Sequence, residues 1–204
     1  MKRRLWFLPE SPDVVKQLCE QATVSVECLE ALVSWAQGAA DAADHLRDAE
    51  RRAGERKREL WRALRAAFST PIDPEDLYAL SFRLDLVLSA AHNLVRESEV
   101  LGLEAADEPS AQMAALARDG MARLRDSFAA MTSDRDRATE LADDARHTAR
   151  DVEHAYRGAM RRVLDQDDLR RIWAESERYN RFVELADRVA QVSDRVWYAV
   201  VKEG

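Results

Sequence analysis

Apolar residues recur at helical spacing along almost the whole of this 204-residue chain. In the first such stretch they return every seven residues, at Val15, Ala22, Leu29 and Ala36. A seven-residue repeat places its members on one narrow stripe of an α-helix, which a neighbouring helix covers in a bundle. With only six glycines and five prolines, the chain has few residues that interrupt helices. The pattern therefore predicts an all-α bundle of long helices without strands.

Capping residues and breaks divide this pattern into six helices. Ser11 and Pro12 are predicted as the N-cap and first residue of the first helix, and Asp73 and Pro74 as those of the third. The polar stretch 104–110 is the predicted midpoint linker. The six helices are expected at about residues 11–38, 42–68, 74–102, 110–131, 134–164 and 167–201.

The two halves of the chain are similar in sequence. The segment around Asp85 in the third helix matches the segment around Asp187 in the sixth, and Asp187 follows Asp85 by 102 residues, half of the chain. Similarity at a fixed offset is typical of a duplicated structural unit. We therefore expect six long antiparallel helices arranged as two similar three-helix bundles, residues 1–104 and 105–204, that pack as one continuous structural unit.

Composition excludes several classes of function. The 31 basic and 38 acidic residues are interleaved along the predicted helices, with a net charge of −7, which argues against a nucleic-acid partner. No apolar run approaches the roughly 20 residues that span a bilayer, so membrane association is expected only through a partner or a surface. Cys19 and Cys28 lie on different faces of one predicted helix and cannot pair locally, which fits a reducing cytoplasm.

One segment is unusual in its order. Between the second and third helices the chain reads Thr-Pro-Ile-Asp-Pro-Glu-Asp at residues 70–76, with a proline, a cap and two helix-start acids in fixed order. Together with 4–9 (Arg-Leu-Trp-Phe-Leu-Pro), Leu84-Asp85 and 184–189 (Glu-Leu-Ala-Asp-Arg-Val), this segment resembles the PhoU-like family of phosphate-transport regulators, and within it the Pit accessory proteins encoded beside phosphate permeases. The resemblance covers nearly the whole chain.

The resemblance implies a PhoU-like fold and a cytoplasmic, non-enzymatic regulator of inorganic phosphate transport. Its implied partner is a phosphate permease or another regulatory protein, which would place it at the inner face of the membrane, and a homo-oligomer stays open. The chain also lacks the glycine-rich phosphate loop, the Gly-x-Ser-x-Gly elbow and the His-Glu-x-x-His zinc motif that would indicate an enzyme.

The resemblance further implies where a metal would bind. Proteins of this family carry pairs of acids four residues apart on the second, third, fifth and sixth helices, and these pairs bind metal clusters on the bundle surface. Carboxylates at this spacing share one helix face and supply oxygen ligands to divalent or ferric ions. Each matching pair here keeps one acid, so the candidate metal ligands are Glu50, Asp85, Glu153 and Asp187.

Two cations offer an alternative to a metal. Lys57 stands in an apolar slot of the second helix, seven residues after Glu50, and Arg157 lies four residues after Glu153. Either cation could pair with a surviving acid in place of the metal. A metal-binding helical protein is thus the alternative to a protein-binding regulator, and a regulatory bundle unrelated to phosphate is a third possibility.

Histidines form the remaining candidate metal ligands. His147, Asp151 and His154 share a helix face at zinc-compatible spacing but lie off the apolar stripe, so we predict a solvated face. His92 follows Asp85 by seven residues and is predicted to bond within the bundle.

Tryptophans are the last residues that the sequence singles out. Trp61, Trp173 and Trp197 lie at or beside the stripes and are predicted to pack in the core. Trp6 and Phe7, beside three basic residues, are candidates for contact with a membrane protein or lipid surface, or for packing on the bundle.

Overall fold

Six α-helices and no strands make up the part of the chain that the computed structural model describes, residues 13–202. The all-α class with six long antiparallel helices is confirmed. The helices are α1 (Val14–Ala36), α2 (Ala42–Ala66), α3 (Pro74–Val100), α4 (Glu108–Ala130), α5 (Arg135–Leu164) and α6 (Leu169–Lys202).

Capping aspartates mark the starts of α1, α3 and α4. Asp73 caps α3 as predicted, because its side chain accepts a hydrogen bond of 2.8 Å from the Glu75 N–H. The predicted start of α1 was wrong: Asp13 is the cap, since its carboxylate accepts from the Lys16 N–H at 2.9 Å. Asp107 likewise caps α4, so the linker between the halves ends before the predicted stretch does.

The helices form two groups of three. Within each group every helix packs against the other two, and the groups meet where α1 contacts α4 and α3 contacts α6. Among the described helices, α2 and α5 pack only within their own group, so they take equivalent outer positions. Apolar side chains from all six helices join one buried cluster, in which Phe128 and Phe182 are the largest fully buried side chains. The arrangement is that of two similar three-helix bundles.

A polar bond crosses the core of the first bundle. The Gln21 side chain donates from Nε2 to the Ser81 carbonyl at 3.0 Å and accepts from the Ser81 hydroxyl at 2.7 Å. Both residues are fully buried, so each satisfies the polar groups of the other. This reciprocal pair fixes the register of α1 against α3.

None of the helices in residues 13–202 has the length and hydropathy that a bilayer crossing requires.

Candidate functional site

The two candidate carboxylates of the first bundle face basic residues across the α2–α3 contact. Asp85 Oδ2 on α3 accepts a hydrogen bond of 2.6 Å from Lys57 Nζ on α2. Glu50 Oε2 on α2 lies 2.8 Å from His92 Nδ1 on α3, an ion pair whenever the imidazole is protonated. Each acid therefore has a basic partner on the opposite helix. The predicted pairing of Lys57 with a surviving acid is confirmed, and the acid is Asp85.

The surroundings of Lys57 explain why a cation occupies an apolar slot. Its side chain is only 18% exposed, and Nζ lies 5.0 Å from the centre of the Trp61 ring. The four-carbon stem packs along the helix contact while the ammonium reaches the carboxylate and the ring face. A pair shielded in this way is worth more than a fully exposed one, which is typically worth about 0–1 kcal/mol.

The candidate carboxylates of the second bundle lack basic partners on a neighbouring described helix. Glu153 is exposed, and its Oε2 atom lies 3.6 Å from Nη1 of Arg157 on the same helix. Asp187 is exposed and has no ion pair with a described side chain. Neither acid of this bundle is joined to a neighbouring helix, so the two halves share a fold but not this local chemistry.

The structure does not gather the four candidate ligands into a metal cage. Among residues 13–202, no group of three or more His, Cys, Asp or Glu side chains is arranged to hold a metal ion. A hard cation at the α2–α3 contact would have to displace Lys57 and His92 from the two acids. The assignment of Glu50, Asp85, Glu153 and Asp187 as metal ligands stays a prediction.

The unusual segment at residues 70–76 docks the start of α3 onto the end of α6. The Thr70 hydroxyl donates to the Ile72 carbonyl at 2.7 Å and closes a turn that buries Ile72. Asp76 is fully buried and accepts a hydrogen bond from Arg195, and Lys202 Nζ lies 3.6 Å from its second oxygen. Two cations of α6 thus offset the burial of one carboxylate, which is costly without partners. This segment has a structural role across the interface between the bundles.

A second buried charge network was missed by the reasoning from sequence. Arg178 on α6 is almost fully buried, donates to the Glu104 carbonyl at 2.8 Å and lies 3.3 Å from Asp107. The Tyr179 hydroxyl donates to Asp107 at 3.1 Å, and burial, with the nearby carboxylate, raises the pKa of Tyr179 to about 12. The detectable signal was Arg178 itself, a charge four residues before Phe182 on the apolar stripe. The network holds the linker between α3 and α4 against α6.

A groove with a volume of about 930 Å³ lies between the C-terminal end of α2 and the N-terminal end of α3. Its floor is apolar, built from Trp61, Leu64 and Tyr78, and the Trp61 and Tyr78 rings stack with their centres 4.7 Å apart. Three arginines of α2 border it, at positions 58, 62 and 65. We call this surface the arginine groove.

The predictions for the other aromatic and histidine residues have mixed outcomes. Core packing was wrong for Trp173 and Trp197, which are 61% and 41% exposed, because both lie at the edge of the α6 stripe. The Trp197 Nε1–H donates instead to exposed Asp143 at 2.8 Å. Trp61 is half-buried at the arginine groove. Trp6 and Phe7 lie outside the described residues.

The histidine face of α5 is solvated as predicted, since His147, Asp151 and His154 are all exposed. His92, predicted to bond within the bundle, lies against Glu50.

Solved structures share this arrangement of helices. Two PhoU-like proteins from Shewanella oneidensis MR-1 each superpose with a TM-score of 0.76, at 15% and 16% sequence identity. They cover 92% and 93% of this chain, which in turn covers 99% of each of them. The fold is PhoU-like. The phosphate transport system regulatory protein PhoU from Streptococcus pneumoniae agrees with it at a TM-score of 0.72 and 14% identity, with 94% of each chain covered.

No family model matches the chain, and no curated protein matches it in sequence. At identities of 14–16% the structural likeness concerns the fold. The fold predicted from the resemblance is therefore confirmed, while assignment to the Pit accessory proteins stays a prediction.

Proposed function

We propose that this chain is a cytoplasmic accessory or regulatory protein of inorganic phosphate transport that acts by binding other proteins. The observation that carries the proposal is the PhoU-like fold, shared over 94% of the chain with a phosphate transport system regulatory protein. The resemblance of residues 70–76 to the Pit accessory proteins supplies the finer assignment, in which the partner is a phosphate permease. The protein would then sit at the inner face of the membrane through that partner.

The arrangement of charges supports binding rather than metal storage. Glu50 and Asp85 are each held by a basic residue, and the buried Asp76 and Arg178 bond across helix contacts. Such internally paired charges stiffen the bundle, because each pair ties two helices or a helix and a linker together. The same pairing makes the metal-binding alternative less favourable in the first bundle. Stiff helices with an open groove are suited to docking a partner.

Affinity purification tests the proposal. The tagged chain would be isolated from its own cells grown with abundant phosphate and under phosphate starvation, and co-purifying proteins would be quantified against cells that express the tag alone. We expect enrichment of a phosphate permease in at least one condition. The absence of such enrichment in both conditions would contradict the proposed function.

A further inference from the structure

We infer that the arginine groove docks an acidic amphipathic helix of a partner protein. The inference rests on the proposed function, for which it supplies the binding surface and the chemistry of the partner. The groove was not predicted from the sequence, because its floor combines side chains of α2 and α3 that are 14 to 17 residues apart in the chain, such as Leu64 and Tyr78, or Trp61 and Tyr78.

The floor of the groove exposes aromatic surface that no other residue of 13–202 covers. Tyr78 is 47% exposed, and Phe82, one turn later on the same face of α3, is 44% exposed. Large apolar side chains that cluster on an exposed surface mark interaction sites, and aromatic ones dominate the energetics of such sites.

The arginine row beside this floor has no ion-pair partner among the residues that the structure describes. No carboxylate among residues 13–202 forms an ion pair with Arg58, Arg62 or Arg65. Earlier on the same helix the pattern differs, since Arg52 and Arg56 each lie within ion-pair distance of two carboxylates. The row is therefore a local positive strip on a chain whose net charge is −7. Charge complementarity selects an acidic occupant.

The other charges that line the groove leave this balance positive. Arg195 also lines the groove, where it is bound to buried Asp76, and Glu75 is the one carboxylate among the described lining residues. Because Asp76 offsets Arg195, three arginines without an ion pair to a described carboxylate face one lining carboxylate. An acidic partner would gain favourable contacts along the row with little repulsion from the groove itself.

The shape of the row favours a helix over a small ligand. Arg58, Arg62 and Arg65 are spaced at i, i+4 and i+7, so they lie on one face of α2 and extend over about 10 Å of its axis. A compact anion would contact one or two of them, whereas carboxylates on successive turns of a partner helix meet all three. Apolar residues on the adjoining face of that helix would cover the aromatic floor, as in helix-in-groove recognition.

The test uses a model peptide, because the partner is defined by chemistry. A fluorescein-labelled helical peptide of about 18 residues, or five turns, would carry leucines on one face and glutamates beside them. The full chain would be titrated into it and fluorescence anisotropy recorded at about 0.15 M salt. The comparison probes are the same peptide with lysines for glutamates, inorganic polyphosphate, and vesicles of phosphatidylglycerol with phosphatidylcholine.

Two double variants separate the groove from general charge. Arg58→Glu/Arg65→Glu reverses the row, and the matched control Arg150→Glu/Arg161→Glu makes the same charge change on the equivalent outer helix α5. All four arginines are exposed, and none forms an ion pair with a described side chain, so both variants should fold. Tyr78→Ser tests the apolar half of the groove.

We expect saturable binding of the acidic peptide and weaker binding of the basic one. Affinity should fall at least about tenfold in Arg58→Glu/Arg65→Glu and in Tyr78→Ser, and change less than about twofold in the control. Absence of saturable binding, equal loss in the control, or preference for polyphosphate or vesicles would overturn the inference. If a permease co-purifies with the chain but the chain does not bind the peptide, the inference about the groove is wrong and the proposed function is not. Peptide binding without permease enrichment overturns the proposed function alone.

Discussion

Replacing Gly120 by alanine tests how closely the helices of the second bundle pack. Gly120 lies in α4 where α5 and α6 approach, and a Cβ atom there would lie 2.3 Å from Thr148 Oγ1 and 3.2 Å from Val189 Cγ1. The Thr148 hydroxyl already donates to the Ala145 carbonyl at 2.7 Å, so moving it away breaks that bond. The alanine methyl group therefore displaces packed neighbours from two helices.

The expected change in the free energy of unfolding follows from two opposing effects. Alanine is favoured over glycine in a helix interior by about 1 kcal/mol. Overpacking of a well-filled core costs about 1–3 kcal/mol, and here the overlap reaches a hydrogen-bonded group. Gly120→Ala should therefore destabilise the protein by up to about 2 kcal/mol, which lowers the melting temperature by several degrees for a chain of this size.

Gly158 provides the matched control. It lies in α5, and a Cβ atom there meets no other atom within 4 Å. Gly158→Ala should raise the free energy of unfolding by about 0.5–1 kcal/mol. Urea unfolding followed by circular dichroism measures both variants, and Gly120→Ala should cost less when combined with Thr148→Ala, which removes the hydroxyl. If Gly120→Ala stabilises the protein as much as Gly158→Ala does, the close packing described here is wrong.

Three further predictions concern charges and thiols. Elemental analysis should find substoichiometric metal in the purified wild-type chain, and near-stoichiometric metal there would contradict the pairing of both acids with basic residues. The variant Lys57→Glu/His92→Glu places two new acids beside Asp85 and Glu50, so Mn²⁺ should raise its melting temperature. Hydrogen bonds from Lys202 and from the Glu75 N–H lower the pKa of Asp73. The ionised Asp73 carboxylate therefore stabilises the folded protein above about pH 4, and this stabilisation is lost as the pH falls through the lowered pKa. Asp73→Asn keeps the cap, so its melting temperature should fall less than that of the wild type between about pH 6 and about pH 3, and equal slopes would refute the assignment. Burial raises the pKa of Cys28 to about 12, and burial with nearby acids raises that of Cys19 to about 11. Both thiols should therefore react slowly with a disulfide reagent near pH 8, and Cys28 should be the slower. Fast labelling of Cys28 would show that it is not buried.

Local signals in the sequence were sufficient to predict the fold. The cap and proline at Asp73 and Pro74 predicted the start of α3, because a short side chain and a fixed φ act within one turn. The start of α1 was misplaced by two residues, since Ser11 and Asp13 are both good caps and only the hydrogen bond to Lys16 decides between them. Periodicity predicts which face of a helix is buried, and six such faces predict a bundle.

The candidate sites depended on contacts between helices, which periodicity does not specify. The sequence marked Lys57 as unusual, but its partner across the helix contact became definite only once α2 and α3 were packed. Trp197 shows the limit at the edge of a stripe, where a small rotation of the helix decides between core and solvent. The arginine groove requires both the end of one helix and the start of the next. That its three α2 arginines pair with no carboxylate of residues 13–202 could be seen only once the helices were packed.

Phosphate uptake tests the central claim most directly. The initial rate of uptake of radiolabelled inorganic phosphate would be measured in cells with the gene intact, deleted, and restored as wild type or as Arg58→Glu/Arg65→Glu. A regulator that acts through its binding surface predicts an altered rate on deletion, recovery with the wild type, and no recovery with a stably folded groove variant. An uptake rate that is the same with and without the gene, both in abundant phosphate and under starvation, would contradict the claim.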